Sequence, residues 1–422
     1  VATRVVILGA GFAGCSVARL LGRDGNLAVT LVDPHNFMLY TPLLPEAASG
    51  TVEPRHAVVP VRVMCPRARL VLGVATGADF EAGKVVVTAA GGTRRELGYD
   101  HLVVALGAVT RTASVPGLLE HGLGFKTIAQ AIALRNRVLG QLERAAVEPD
   151  SGDRARLLTF VFVGGGYAGV EALAELEDLV RDASGRYPEL AGARRRWVLL
   201  DAADSILHDL PGSLAAYSAH QLERRGVELL MRRRLAAVDD RGVTLDDGTE
   251  IPSATVVWTA GVRPNPALAG LGLELDRQGR VPVDPFLRIP GRDDVWALGD
   301  AARVENPLGP GPDPPTCQHA LRQARRLAAN LRAVSAGESP RPYAYRMRGQ
   351  VATLGRHKGV AEVYGHPIHG FAGWWLARTY HLYQLPLLSR KLRVVTDWTV
   401  GLVFRRDIVE LGDVAAEPLE AP

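Results

Sequence analysis

Cysteine is scarce in this chain. Cys15, Cys65 and Cys317 are the three among 422 residues, and no two stand at C-x-x-C or C-x4-C spacing. That argues against a disulfide scaffold, a tetrahedral zinc site and a sequence-adjacent redox dithiol, and it fits a reducing compartment. Cys65 and Cys317 could meet in space, but ordinary reduced thiols are the expectation. Lysine is rarer still for its class: Lys84, Lys126, Lys358 and Lys391 stand among 49 basic residues. The net charge of +4 is too small to call for a nucleic-acid partner. No apolar run reaches the roughly 18 residues of a membrane-crossing helix, and no basic leader precedes the first apolar strand. With 47% hydrophobic and 22% charged residues the composition is that of a globular protein. Its length suits two or three domains.

Against these absences stands a glycine pattern that occurs twice. "RVVILGAGFAGCSVARLL" is a β-branched run, then Gly9-x-Gly11-x-x-Gly14, then a helical pattern; "VTLVD" follows and ends on Asp33. A dinucleotide fold requires this order. Gly9 permits the tight turn, Gly11 the approach of a pyrophosphate, and Gly14 close helix–strand packing. The helix start, with Phe12 and Ala13, faces the phosphates, and the acid binds ribose hydroxyls. "LLTFVFVGGGYAGVEALAELEDL" repeats it with Gly164, Gly166, Tyr167, Ala168 and Gly169, and "RRRWVLLD" ends on Asp201. Two units imply two dinucleotides, a tightly held flavin and an exchanging nicotinamide. Asp201 favours NADH over NADPH, because a 2′-phosphate would meet its charge, while Arg194 to Arg196 keep an NADPH reading open.

"DDVWALGDAARV" places Asp300 just after a strand, where a carboxylate can bind a ribityl chain. "YDHLVVALGAVTR" and "ATVVWTAGVRPN" read as the crossovers between domains. The expected architecture is α/β: two Rossmann-like dinucleotide-binding domains, for FAD and NADH, the second inserted in the first, plus a C-terminal helical segment. The boundaries are 1–113 and 253–335 for FAD, 114–252 for NADH, and 336–422 for the C-terminal domain.

At this point the chain resembles the two-dinucleotide-binding flavoproteins and, more narrowly, the type II (non-proton-pumping) NADH:quinone oxidoreductases. The narrower likeness rests on "FMLYTPLLPEAASGTVEP", "GGGYAGVE", the insertion with "RYPEL", "TAGVRPN" and, imperfectly, "PPTCQHALRQ". The resemblance implies hydride transfer from NADH to FAD and two electrons onward to a membrane menaquinone or ubiquinone. It implies FAD contacts from Pro42, Ala105, Gly107, Asp300, Thr316, Cys317 and Gln318, and nicotinamide contacts from Gly261 and Glu171. Glu171 matches a family glutamate assigned to orientation or proton handling. Thr316 is expected to cap the helix of "CQHALRQARRLAANL". Family members carry two glutamines at the quinone site there; Gln318 matches the first, and Arg322, followed by Gln323, replaces the second. Arg322 could stabilise a quinol anion or lie on the surface as an ordinary helix arginine.

The last stretch, from Phe371 to Arg406, gathers tryptophan and tyrosine with six basic residues against Asp397. Phe371, Trp374, Trp375, Leu382 and Leu385 lie broadly on one helical face, interrupted by Arg378; beyond Pro386, Val395, Trp398 and Leu402 form a second stripe. This composition is that of an anchor lying in the headgroup plane on the cytoplasmic face of a cell membrane. The same aromatics could instead pack on the body or in a homodimer. A soluble NADH:acceptor oxidoreductase, a disulfide-type reductase and a flavin-bearing redox sensor remain the competing functions.

Overall fold

The structure is a computed structural model that describes residues 2–410, 412 and 417–420. The ends of the expected division, Val1 and Pro422, lie outside the described residues. Six helices build or flank the loops of interest: α1 (Phe12–Leu21), α2 (Leu44–Ser49), α3 (Tyr167–Ala183), α4 (Cys317–Ser335), α5 (Phe371–Gln384) and α6 (Leu388–Val403). The chain forms two compact units. One comprises Val1–Leu39, Val58–Val109 and Val262–Met347; the other Tyr40–Ala57, Thr110–Gly261 and Arg348–Pro422.

In the first unit, Thr3–Leu8 is a middle strand of a seven-stranded sheet. Its neighbours are Leu27–Asp33 and His101–Val104, both parallel to it. The chain therefore leaves this strand towards one side and later returns on the other, which opens a crevice at its carboxyl end. Gly9 begins there. Val5, Ile7 and Leu8 are fully buried, as a parallel strand covered on both faces requires.

The second unit repeats the arrangement with five parallel strands in the order Gly122–Gly124, Thr255–Trp258, Thr159–Val163, Arg196–Asp201, Val227–Met231. Thr159–Val163 is buried at every residue and ends at Gly164, again between strands reached in opposite directions. The rings of Phe160 and Trp197, register partners on neighbouring strands, stack 4.4 Å apart on one face of this sheet. A three-stranded antiparallel sheet, Gly349–Thr353, Gly359–Val363 and His366–Gly370, then leads into α5 and α6. This is the expected α/β fold with a second Rossmann-like sheet between segments of the first. No described helix is long and apolar enough to cross a membrane.

Candidate functional site: two glycine loops and a buried carboxylate cluster

The two loops are built on the same contacts. Gly9 has φ +101°, and a Cβ there would lie 2.3 Å from the carbonyl oxygen of Ala105; a Cβ on Gly14 would lie 1.8 Å from the carbonyl oxygen of Gly9. Gly164 and Gly169 repeat this, the first against Thr259 at 2.7 Å and the second against the Gly164 carbonyl at 1.9 Å. Gly11 and Gly166 differ. Each is the N-cap of its helix, α1 or α3, and a Cβ there would meet nothing within 4 Å. Neither helix has a side-chain cap or an acid in its first turn. Exposed N–H donors at a helix start with open space in front form an anion site that suits a pyrophosphate.

The terminal acids also match. Asp33 Oδ2 accepts from Ala10 N at 2.6 Å and Oδ1 from His35 N at 2.8 Å. Asp201 Oδ2 accepts from Gly165 N at 2.5 Å and Oδ1 from Ala203 N at 2.7 Å. A carboxylate has about four acceptor positions, so sites for ribose hydroxyls remain in both. The chemistry of these donor sets fits two dinucleotides. Phe12 is half-buried and Ala13 buried at the first loop; Tyr167 is half-buried and Ala168 exposed at the second. Tyr167 donates its hydroxyl to Gln350 Oε1 at 2.7 Å, and burial raises its pKa. Sequence reading passed over Thr259, whose hydroxyl donates to the carbonyls of Val163 and Gly164 and so holds the second loop. Gly261, at φ +99°, accepts from Arg111 N at 3.1 Å. Arg194 and Arg196 pair with Glu228 at the opposite end of their strand from Asp201. Five residue steps, about 16 Å, separate Arg196 from Asp201, so these arginines do not carry the NADPH alternative.

On the first unit, Gly107 has φ +67° and its carbonyl accepts from Asn265 N at 3.1 Å. Gly299, at φ +70°, sets up the turn that carries Asp300, and its N–H is held by Gln323 Oε1 at 2.7 Å. The Gln323 amide nitrogen donates to Asp313 Oδ2 at 2.8 Å, and Tyr343 donates to the same oxygen at 2.7 Å. Gln323 is thus a strut of the Asp300 turn and not a substitute for the missing second glutamine. Thr316 caps α4 as expected, accepting from His319 N. Burial, with Asp300 nearby, pushes the Cys317 thiol up to about 11, so it stays protonated. Tyr345 donates to Gln318 Oε1 at 3.3 Å, and its ring lies 5.2 Å beneath the Arg322 guanidinium. One nitrogen of that guanidinium, Nη1, is buried without a hydrogen-bond acceptor among the described residues. The two cysteines that meet are Cys15 and Cys65, whose thiol donates to the Cys15 carbonyl at 3.4 Å; Cys317 is not among them. Pro42 lies on the turn Thr41–Leu43 that enters α2, in the second unit.

The second unit also holds a cluster that sequence reading did not find. On α3, Glu171, Glu175, Asp178 and Asp182 repeat at helical spacing and face inward. Glu171 Oε1 accepts from Thr353 N at 2.8 Å and from its hydroxyl at 3.1 Å. Desolvation outweighs both bonds and pushes Glu171 from its ordinary 4.5 up to about 8. Glu175 accepts from Ser49 at 2.8 Å and from Arg406 at 3.0 Å; Arg406 also reaches Asp182 at 3.1 Å. Glu46 on α2 is 4% exposed and pairs with Arg378 at 3.1 Å, while Trp398 donates to its other oxygen at 2.6 Å. Arg378 lies between the rings of Trp374 and Trp398, at 4.4 and 4.6 Å. The arginine that interrupts the aromatic stripe is therefore its inward-facing centre, and Trp374 and Trp398 belong to the packed side rather than the exposed one.

Residues 3–324 match the family described as pyridine nucleotide-disulphide oxidoreductase. The chain is 34% identical over 418 residues to the type II NADH:quinone oxidoreductase Ndh of Mycobacterium tuberculosis, covering 96% of this chain and 89% of that one. It is 32% identical to the internal alternative NAD(P)H-ubiquinone oxidoreductase A1, mitochondrial, of Arabidopsis thaliana, over 96% and 85% of the two chains. The solved structure of NDH2 from Plasmodium falciparum in complex with NADH shares the fold, with a TM-score of 0.89 at 17% identity over 96% of this chain and 99% of that one. The duplicated loops and the full-length likeness agree: the chain belongs to the type II NADH:quinone oxidoreductases, within the pyridine nucleotide-disulphide oxidoreductase family.

Proposed function

We propose that the protein takes a hydride from NADH and delivers two electrons to a membrane quinone by way of FAD, without moving protons across the membrane. The observation that carries this reading is that the second glycine loop, complete from Gly164 to Asp201, has the same build as the first. FAD when bound supplies the hydride-accepting chemistry. Gly11 and the start of α1 hold its pyrophosphate, Asp33 its ribose and Asp300 its ribityl chain. Gly166 and the start of α3 hold the pyrophosphate of NADH, with Asp201 on the ribose.

Gln318 and Arg322 meet the quinone. Arg322 Nη1, buried and without an acceptor among the described residues, supports that role, because a carbonyl oxygen would supply one. Glu171 carries a proton at neutral pH, as its raised pKa favours.

The tail lies in the headgroup plane of the cytoplasmic leaflet. Leu388, Leu392, Val395 and Leu402 form an exposed stripe on α6, continued by Val403 and Phe404, and Phe371 and Trp375 are exposed on α5. An apolar stripe of this kind on a surface helix suits a lipid interface. Two of the six basic residues, Arg378 and Arg406, turn inward to carboxylates, so charge contributes less than the sequence suggested.

Anaerobic mixing of flavin-loaded protein with NADH, then with a menaquinone or ubiquinone analogue, tests the reading by flavin absorbance. Bleaching by NADH and recovery by quinone are expected. Bleaching without recovery would remove the quinone and leave a soluble NADH:acceptor oxidoreductase or a sensor. Flotation with anionic vesicles tests the tail, with Leu392→Glu/Leu402→Glu expected to abolish binding.

A further inference from the structure

His319 is a buried histidine to which the electron path gives no work. It stands on the first turn of α4 and is 5% exposed. Its Nδ1 lies 2.7 Å from the Thr316 hydroxyl, and its Nε2 lies 3.4 Å from Asp313 Oδ1. Asp313 is buried as well. Asn306 Nδ2 donates to its Oδ1 at 2.8 Å; Gln323 Nε2 and the Tyr343 hydroxyl donate to its Oδ2 at 2.8 and 2.7 Å. Acid, imidazole and hydroxyl therefore stand in one line, from the interior to the N-cap of α4.

The line ends beside Gln318 and Arg322. The Tyr345 ring meets the His319 ring edge-on at 5.5 Å, its hydroxyl donates to Gln318 Oε1 at 3.3 Å, and the Arg322 guanidinium lies over it at 5.2 Å. Thr316 is half-buried, two residues before Gln318. Among the described residues, the charged and titratable groups facing His319 are Asp313, Tyr343 and Tyr345 from outside α4 and Arg322 on it. Burial holds the imidazole below its ordinary 6.5; Asp313 draws it back up and Arg322 adds to the lowering.

The state of the ring sets what the hydroxyl can do. A neutral imidazole that gives Nε2–H to Asp313 keeps a lone pair on Nδ1, and Thr316 must donate into it. An imidazolium donates from Nδ1 to the Thr316 oxygen, and the hydroxyl proton turns outward. One proton on His319 thus converts Thr316 from an acceptor towards its surroundings into a donor.

Reducing a quinone to a quinol takes two electrons and two protons, and the hydride of NADH brings both electrons and one proton. We propose that Asp313, His319 and Thr316 form the relay that carries the other proton, from water, to the quinone oxygen. This rests on the reading of Gln318 and Arg322 as the quinone site. The Thr316 O–H bond breaks as the quinol O–H bond forms, the Thr316 oxygen takes the Nδ1 proton of the imidazolium, and the imidazole regains a proton from water. The Asp313 carboxylate orients the ring and steadies the imidazolium without taking its proton.

The test is stopped-flow flavin absorbance on the flavin-loaded full chain, read separately for bleaching by NADH and for recovery with a menaquinone analogue. His319→Gln offers an amide donor to Asp313 and an acceptor to Thr316 but cannot pass a proton on. It should slow recovery about a hundredfold and bleaching far less, with the thermal midpoint held. Wild-type recovery should quicken as pH falls through the His319 pKa, and His319→Gln should lose that dependence. Thr316→Ser should retain fast recovery, whereas Thr316→Val should be as slow as His319→Gln. Equal slowing of bleaching and recovery by His319→Gln, or survival of the pH dependence in that variant, overturns the relay. Should His319→Gln fail to load flavin, the Thr316 variants decide, and equal recovery in both overturns it. Bleaching of the wild type by NADH with no recovery by the quinone analogue would instead overturn the quinone reading, and the relay with it.

Discussion

Replacing Arg378 by methionine should cost more than any single change on the protein's surface. The guanidinium holds one oxygen of Glu46 at 3.1 Å and fills the gap between Trp374 and Trp398. Glu46 is buried, and burial already raises its pKa against the pull of Arg378. Methionine restores most of the packing between the indoles but leaves the carboxylate with Trp398 as its one remaining close donor among the described residues. Breaking a buried pair in this way costs about 3–5 kcal/mol. Each lost cation–π contact would add about 0.5–2 kcal/mol, partly recovered by the thioether. A net loss of about 4 kcal/mol is a large part of the roughly 5–15 kcal/mol that holds a domain folded.

Urea unfolding followed by tryptophan fluorescence at pH 8 measures this loss. The deficit should shrink in acid. Glu46 binds its proton more tightly folded than unfolded, so its contribution to stability is full at low pH and falls as pH rises, and protonation relieves the unpaired charge. The double variant Glu46→Gln/Arg378→Met should recover most of the loss, because no buried charge is then left alone. A single-variant cost below about 1 kcal/mol, or a double variant as unstable as the sum of the singles, would refute the reasoning.

Glu171→Gln should flatten the pH dependence of stability between about 4.5 and 8. The glutamate takes up a proton on folding across that window, so wild-type stability falls with rising pH by up to about 1.4 kcal/mol per unit, while glutamine does not titrate. Denaturation midpoints at pH 5 and 8 check it. Gln323→Leu should leave Gly299 N and Asp313 Oδ2 each short of a partner and cost about 1–3 kcal/mol. It should also release FAD more readily, measured by flavin fluorescence on dilution. Gly14→Ala should abolish flavin loading, because its methyl would lie 1.8 Å from the Gly9 carbonyl and the loop cannot keep its shape; a loaded Gly14→Ala protein would overturn the contact.

The glycine loops were legible because their chemistry is local. Gly9 and Gly14 touch each other within one turn of chain, and a β-branched run before and a helix after complete the unit. The Thr316 cap was legible for the same reason, since the hydroxyl meets its own helix three residues on. The roles of Gln323 and Arg378 were not. Gln323 stands next to the position where a family glutamine was sought, and only the contacts with Gly299 and Asp313 show that it is already spent. Arg378 was read as an interruption because a helical stripe is judged by its own residues, whereas its partner Glu46 comes from α2, far away in sequence.

The acids of α3 make the same point more sharply. Glu171, Glu175, Asp178 and Asp182 recur every three or four residues, and such a row would ordinarily be a solvated face. Here Glu175 and Asp178 are 1% exposed. A carboxylate can be buried only if cations or hydrogen-bond donors come to it. Apart from Arg181 on the helix itself, which pairs with Glu177 and Asp178, they come from outside: Arg225 to Glu177 and Asp178, Arg406 to Glu175 and Asp182, Ser49 and Thr51 to Glu175, and the Arg356 N–H to Asp178. The charged face of the nucleotide-loop helix is thus an interior surface, and Arg406 ties the chain just beyond α6 to it. Removing Arg406 should therefore loosen the tail and leave Glu175 uncompensated at once. A variant with Glu175→Gln and Arg406→Met together should be better folded than Arg406→Met alone. If the two single changes simply added, the row would be a solvated face after all.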